Sequence, residues 1–108
     1  MKEIMEVKER TPELINKLLE VWEGSVRATH LFLSDSEIDS IKEYVPQALG
    51  GIAHLIIAGE SEDCPAAFMG IEDGALEMLF IAPEERGKGL GKRLIRYGIE
   101  NFRLCPVG

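Results

Sequence analysis

Arg86-Gly87-Lys88-Gly89-Leu90-Gly91 is the part of this chain with the clearest chemistry. It lies between a strand-like apolar run, Met78-Leu79-Phe80-Ile81-Ala82, and an amphipathic run from Leu90 to Phe102. Strand, glycine-rich turn and helix together present bare main-chain N–H groups and a positive helix end to an anion. Glycine permits close approach of a ligand to the backbone and tolerates positive φ. The segment reads as a phosphate cradle. Two common cradles fail the test of spacing. A Walker loop needs a glycine five positions before Gly91, where Arg86 stands, and a Ser or Thr after Lys92, where Arg93 stands. The dinucleotide fingerprint needs a glycine three positions past Gly89, where Lys92 stands.

Charge supports the same reading. The chain of 108 residues carries a net charge of −7, which argues against nonspecific binding to nucleic acid. Yet Arg86, Lys88, Lys92, Arg93 and Arg96, five of its twelve basic residues, fall in eleven positions without an acid. A helix start favours acids, so a basic one is built against its own dipole and suits a small polyanion. The plainer alternative is a solvated helix end that happens to be basic. Cys64 and Cys105 match no metal-ligand spacing, and with two histidines no metal site is expected. No run is long enough to span a membrane and no signal-peptide core is present, so a cytoplasmic protein with reduced thiols is expected.

The elements that would position the loop follow from periodicity. An apolar fraction of 45% and a charged fraction of 29% predict one ordinary globular domain over residues 1–108. Lys2 to Lys8 alternates weakly and predicts a first strand. Thr11-Pro12-Glu13 starts a helix whose inner face is Leu14, Ile15, Leu18, Leu19, Trp22 and Val26, through about Arg27. Trp22 is expected in the core, and Tyr44 partly exposed. Ser34-Asp35-Ser36-Glu37 is a capping box opening a second helix, with Ile38, Ile41, Val45 and Leu49 inward and Gly50-Gly51 at its end. Pro46 predicts a kink or an early stop in it. Ile52–Ala58, Ala66–Glu72 and Ala75–Ala82 read as strands, the last two joined by a hairpin at Asp73-Gly74. The order β-α-α-β-β-β-loop-α defines an α/β (α+β) chain.

The string R-x-x-G-x-G, placed after a strand ending Ile81-Ala82-Pro83-Glu84-Glu85, closely resembles the acetyl-CoA pyrophosphate loop of the Gcn5-related N-acetyltransferases, the GNAT superfamily. The order of elements over about residues 3 to 102 is similar to the first two-thirds of that fold. Ser25 to Ser34 looks like a bacterial subgroup of poorly defined substrate. The resemblance implies a mostly antiparallel sheet with helices on both faces. It also implies transfer of the acetyl group of acetyl-CoA to an amine. Leu79, Phe80 and Ile81 would offer main-chain groups to the pantetheine arm, or be simply strand core. Arg86, Gly87, Lys88, Gly89, Leu90, Gly91 and Lys92 would hold the pyrophosphate. Arg86 suits either a loop anchor or a charge, and sequence does not separate the two.

Catalysis by such an enzyme needs a deprotonated amine, an anchored thioester carbonyl and an acid for the thiolate. Glu77, the one charge in Ala75–Ala82, is the candidate general base; the alternative is a charge at the sheet's edge. With register set by Asp73-Gly74, Glu77 is expected across from Gly70, which leaves space above its carboxylate. His30, between the first two helices, falls where the family lines its acceptor pocket, although packing or a helix terminus is the plainer role.

The resemblance breaks after Phe102. The strand, helix and closing hairpin that follow in the family, with the usual tyrosine general acid, have no counterpart here, and Tyr97 lies inside the glycine-loop helix. Ala75–Ala82 is then expected to be an open sheet edge. Either a shortened chain with little activity or a homodimer covering that edge follows. The rival functions are a non-catalytic coenzyme-binding or interaction module of the same fold, and a nucleotide-phosphate binder using the same cradle. No acceptor amine is identified, because variable loops make that pocket.

Overall fold

The computed structural model describes residues 3–29, 34–61 and 64–103. Its first two helices begin where side chains cap them. Thr11 Oγ1 accepts from the Leu14 N–H at 3.2 Å, and α1 follows over Pro12–Thr29. Leu14, Leu18, Val21, Trp22 and Val26 form its buried stripe. The Ser34 hydroxyl accepts from the Glu37 N–H at 3.2 Å while the Glu37 carboxylate accepts from the Ser34 N–H at 3.0 Å. That box opens α2, Asp35–Lys42.

The single second helix expected from periodicity is two. Proline carries no N–H and its ring collides with the carbonyl four residues earlier. Pro46 therefore ends α2 at Lys42 and becomes an early residue of α3, Val45–Gly51. The change of axis leaves Ile38 and Leu49 buried but turns Ile41 out, 42% exposed. Tyr44, at the joint, is exposed as expected. Ile52 caps α3, donating its N–H to the Ala48 carbonyl at 3.0 Å, so the next strand begins at His54 and not at Ile52.

Four strands form one antiparallel sheet in the order β1 (Glu3–Glu6), β2 (His54–Gly59), β3 (Pro65–Glu72), β4 (Ala75–Ile81). β2 and β3 are central and buried, as continuous apolar runs require when both faces are covered. One face carries Leu55, Ile57 and Phe68 against α1, α2 and α3. The other carries Ile56, Ala58, Met69 and Ile71 against α4, Leu90–Phe102, through Leu90 and Leu94. Helices thus cover both faces.

The hairpin turn behaves as its residues dictate, with Asp73 and Gly74 both at positive φ, 53° and 74°. The register beyond it does not follow the simple count. Glu72 pairs with Ala75 and Ile71 with Leu76, but Gly70 pairs with Met78. Glu77 is the extra residue of a β-bulge, a feature that adds one residue to one strand and kinks it. The expected Gly70–Glu77 pair is therefore replaced by Gly70–Met78. The missing side chain at Gly70 accommodates Met78, since a Cβ there would lie 2.6 Å from Met78 Cγ.

Candidate functional site

The glycine loop is reached from β4 through a 3-10 turn, Pro83–Glu85. Gly87 and Gly89 have φ of 78° and 76°, conformations that cost other L-residues about 1–2 kcal/mol. A Cβ at either would meet no heavy atom within 4 Å, so both face open space and their requirement is conformational. Gly91 differs. A Cβ there would come within 3.1 Å of Ile81 Cδ1, so its bare Cα lets the start of α4 sit against the end of β4.

Gly89 is the N-cap of α4 and supplies no capping side chain. The first hydrogen bond of the helix runs from the Arg93 N–H to the Gly89 carbonyl at 3.1 Å. The N–H groups of Leu90, Gly91 and Lys92 precede it and have no carbonyl within the helix to bond. No acid occupies this first turn. The positive end of the helix, bare amides and an exposed Lys92 therefore coincide. Lys88 stands nearby, also exposed, with Glu85 Oε1 3.5 Å from its ammonium.

Arg86 is placed differently from the lysines. Its Nη2 donates to Ser25 Oγ at 3.0 Å and to the Ser25 carbonyl at 3.3 Å, reaching across to the C-terminal part of α1. The loop is thus tied to a helix 61 residues earlier in the chain.

β4 leads directly to this loop and is an edge of the sheet formed by the described residues. Its free side can be assigned by alternation. In an antiparallel strand a residue's N–H and C=O point to the same neighbour, and successive residues alternate. The Ala82 N–H donates to the Ala66 carbonyl at 2.8 Å, and the pairing from Ala67↔Ile81 to Gly70↔Met78 is regular. Phe80 and Met78 therefore turn their main chain to β3. Leu79 and Ile81 turn theirs outward. Of the three strand positions expected to offer main-chain groups, Leu79 and Ile81 face away from β3 and Phe80 faces it. The Phe80 ring instead packs on Phe68, with centroids 5.5 Å apart.

At the other end of β4 the bulge sets Glu77 and Met78 around one cavity of about 410 Å³, with Ala48, Gly51, Ile52 and Glu72. In a regular strand neighbouring side chains would face opposite sides of the sheet. Glu77 is exposed, while Glu72 is engaged through Oε1 by the Ala53 N–H at 3.1 Å. Ile81 lies four positions beyond Glu77, roughly 13 Å at the usual strand rise. The outward edge of β4 thus joins the acidic cavity to the basic loop. His30 lies outside the described residues. Cys64 is an exposed free thiol at the start of β3. Among the described residues no three His, Cys, Asp or Glu side chains come together as a metal site would require. The bulge and the Arg86–Ser25 bond had no readable sequence signal, because each depends on pairing between distant segments.

Among the described residues, a sheet covered by helices on both faces, an edge strand β4 and a glycine turn into a helix without a capping side chain make up the arrangement that the GNAT resemblance implies. The model of the acetyltransferase (GNAT) family matches residues 47–105, more than half of the chain, and the chain belongs to that family. The peptidyl-lysine N-acetyltransferase YjaB of Salmonella typhimurium is 37% identical over 83 residues, covering 77% of this chain and 57% of that protein. Its Escherichia coli counterpart is 33% identical over 87 residues, covering 77% and 56%. The chain spans about half the length of these curated relatives. The solution structure of apo YjaB from Escherichia coli superposes with a TM-score of 0.78 at 29% identity, over 93% of this chain and 65% of that one. The PaiA N-acetyltransferase of Thermoplasma acidophilum, solved with coenzyme A, gives a TM-score of 0.70 at 21% identity, over 94% and 72%.

Proposed function

We propose that this chain binds acetyl-CoA along the outer edge of β4 and transfers its acetyl group to an amine. The observation that carries the reading is the succession of three features along β4 and the turn that follows it. Outward main-chain groups at Leu79 and Ile81 lead at one end to the bare amides of α4, and at the other to Glu77. The loop fits a diphosphate, since the space a Cβ would take at Gly87 and Gly89 is open. The amides of Leu90, Gly91 and Lys92 would donate to the diphosphate oxygens, with the ammonium groups of Lys88 and Lys92 adding charge. Leu79 and Ile81 would pair with the amide groups of the pantetheine arm as a further strand would.

Glu77 then acts as general base. An ammonium ion is not a nucleophile, so the acceptor must lose a proton before it attacks the thioester carbonyl. The Glu77 carboxylate takes that proton, directly or through water, while the acetyl group passes to nitrogen and the thiolate leaves. The names of the YjaB relatives and the coenzyme bound to the PaiA neighbour support the reaction class, and they make a peptidyl-lysine side chain the first acceptor to test. A homodimer through β4 would use the same outward groups, so coenzyme and self-association through this edge exclude one another.

Calorimetric titration with coenzyme A and thiol release from acetyl-CoA with a lysine-peptide panel test the proposal. Glu77→Gln is expected to slow release by roughly 10²–10⁴-fold and to leave coenzyme affinity unchanged. Binding without release by the unaltered chain would favour the binding-module alternative. Absence of heat at about 1 mM coenzyme, or equal displacement by ATP, would overturn the coenzyme assignment.

A further inference from the structure

We infer that Arg86 is a positioning residue, which sets the aim of the glycine loop from α1, and not one of the charges that meet the diphosphate. The inference rests on the coenzyme reading above. Ser25 is 5% exposed and is the one buried polar residue among the described residues. Arg86 Nη2 lies 3.0 Å from its hydroxyl and 3.3 Å from its carbonyl. Both acceptors belong to the C-terminal part of α1, the negative end of that helix, where a guanidinium is favoured.

A second contact fixes the same turn on the same helix. Pro83 sits on α1 at Gly24, where a Cβ would be 3.4 Å from Pro83 Cδ. The Arg86 N–H closes the turn on the Pro83 carbonyl at 3.3 Å. Residues 83 to 86 are thus held to α1 at two adjacent positions, 24 and 25. Immediately beyond them come Gly87 and Gly89, the most freely rotating residues of the segment. Two left-handed glycines would be costly to order at the moment of binding. A clamp just before them preorganises the amides of α4, and preorganisation raises affinity without adding a contact to the ligand.

The two roles differ in their response to salt. An arginine that meets a diphosphate contributes to the salt dependence of binding, because exposed charges are screened. An arginine held by the neutral acceptors of Ser25 keeps its charge but contributes less than one in contact with the diphosphate, and Ser25→Ala removes no charge at all. Coenzyme A is titrated calorimetrically at low and high salt into the unaltered chain, Ser25→Ala, Arg86→Gln, Arg86→Lys, Lys92→Gln and the Ser25→Ala/Arg86→Gln pair, after the unligated unfolding of each has been measured. Loss of one charge-assisted hydrogen bond predicts about tenfold weaker binding for Ser25→Ala, at both salts alike, and a loss at least as large for Arg86→Gln. The double variant is expected to bind no more weakly than Arg86→Gln. Arg86→Lys is expected not to recover affinity, since an ammonium keeps the charge but lacks the planar fork. Lys92→Gln is expected to flatten the salt dependence.

Full affinity in Arg86→Lys, or unaltered affinity in Ser25→Ala, would overturn the positioning role. Failure of the unaltered chain to bind coenzyme would instead overturn the coenzyme reading on which it rests.

Discussion

The position of Glu77 depends on the register of the β3–β4 hairpin, and Gly70→Ala probes that register directly. A Cβ at Gly70 would lie 2.6 Å from Met78 Cγ, 3.1 Å from Met78 Sδ and 3.2 Å from Ile52 Cγ1. Carbons at rest sit about 3.5–4.0 Å apart, so the overlap with Met78 is about 1 Å and the side chain must leave its place. Overpacking of this kind costs about 1–3 kcal/mol. Roughly 0.5–1 kcal/mol is returned because alanine restricts the unfolded chain more than glycine does. The net loss is about 1 kcal/mol, or roughly 4–8 °C in Tm for a domain of this size. Met78→Ala removes the atoms that clash. The pair Gly70→Ala/Met78→Ala should therefore be less destabilised than the sum of its parts by about 1 kcal/mol. Gly70→Ala/Glu77→Ala should be additive to within about 0.5 kcal/mol. Urea unfolding of the five variants and the unaltered chain measures all of these terms. Coupling of Gly70 to Glu77 in place of Met78, or no effect of Gly70→Ala, would refute the bulged register.

Gly89→Ala should lower unligated stability by about 1–2 kcal/mol through its φ alone, and Gly89→Asn should recover part of it, since asparagine visits the left-handed region more readily; thermal unfolding checks both. Ser34→Ala removes the acceptor for the Glu37 N–H and should cost about 1 kcal/mol in urea unfolding with no change in m-value. The hydrogen bond from His54 holds the Glu6 carboxyl below its ordinary 4.5; desolvation by burial opposes it, and Lys8 adds a further lowering. A depressed folded-state pKa stabilises fully above 4.5 and is lost as pH falls through the lower folded value. Glu6→Gln should accordingly flatten the fall in stability below pH 4.5 and leave a smaller stability difference there than at neutral pH, as unfolding across that range will show.

Much of the architecture was legible because it rests on local chemistry. Thr11, Ser34 and Glu37 cap helices with their own side chains, and Pro46 stops one through its missing N–H. Asp73-Gly74 turns the chain because both residues accept positive φ. Gly87 and Gly89 turn the chain into α4 for the same reason. Each of these acts within about four residues, so spacing along the chain carries the whole argument. Errors arose where an element's end is decided by what it packs on. Ile52 finished a helix in place of starting a strand, and Ile41 turned outward once the helix axis broke at Lys42.

The sheet with helices on both faces came from the family resemblance, and what the residues determined unaided is the order of elements and the site's basic, glycine-rich end. Local propensity, capping and periodicity suffice for those, and the family likeness follows from them. Tertiary structure decided the rest. Cross-strand pairing placed Met78 over Gly70 and bulged Glu77 into the α3-side cavity, and strand alternation turned Leu79 and Ile81 outward and Phe80 inward. The packing of the 3-10 turn on α1 gave the Arg86 guanidinium to Ser25. These outcomes join segments many residues apart, so they depend on a chain already folded and leave no periodic mark along it.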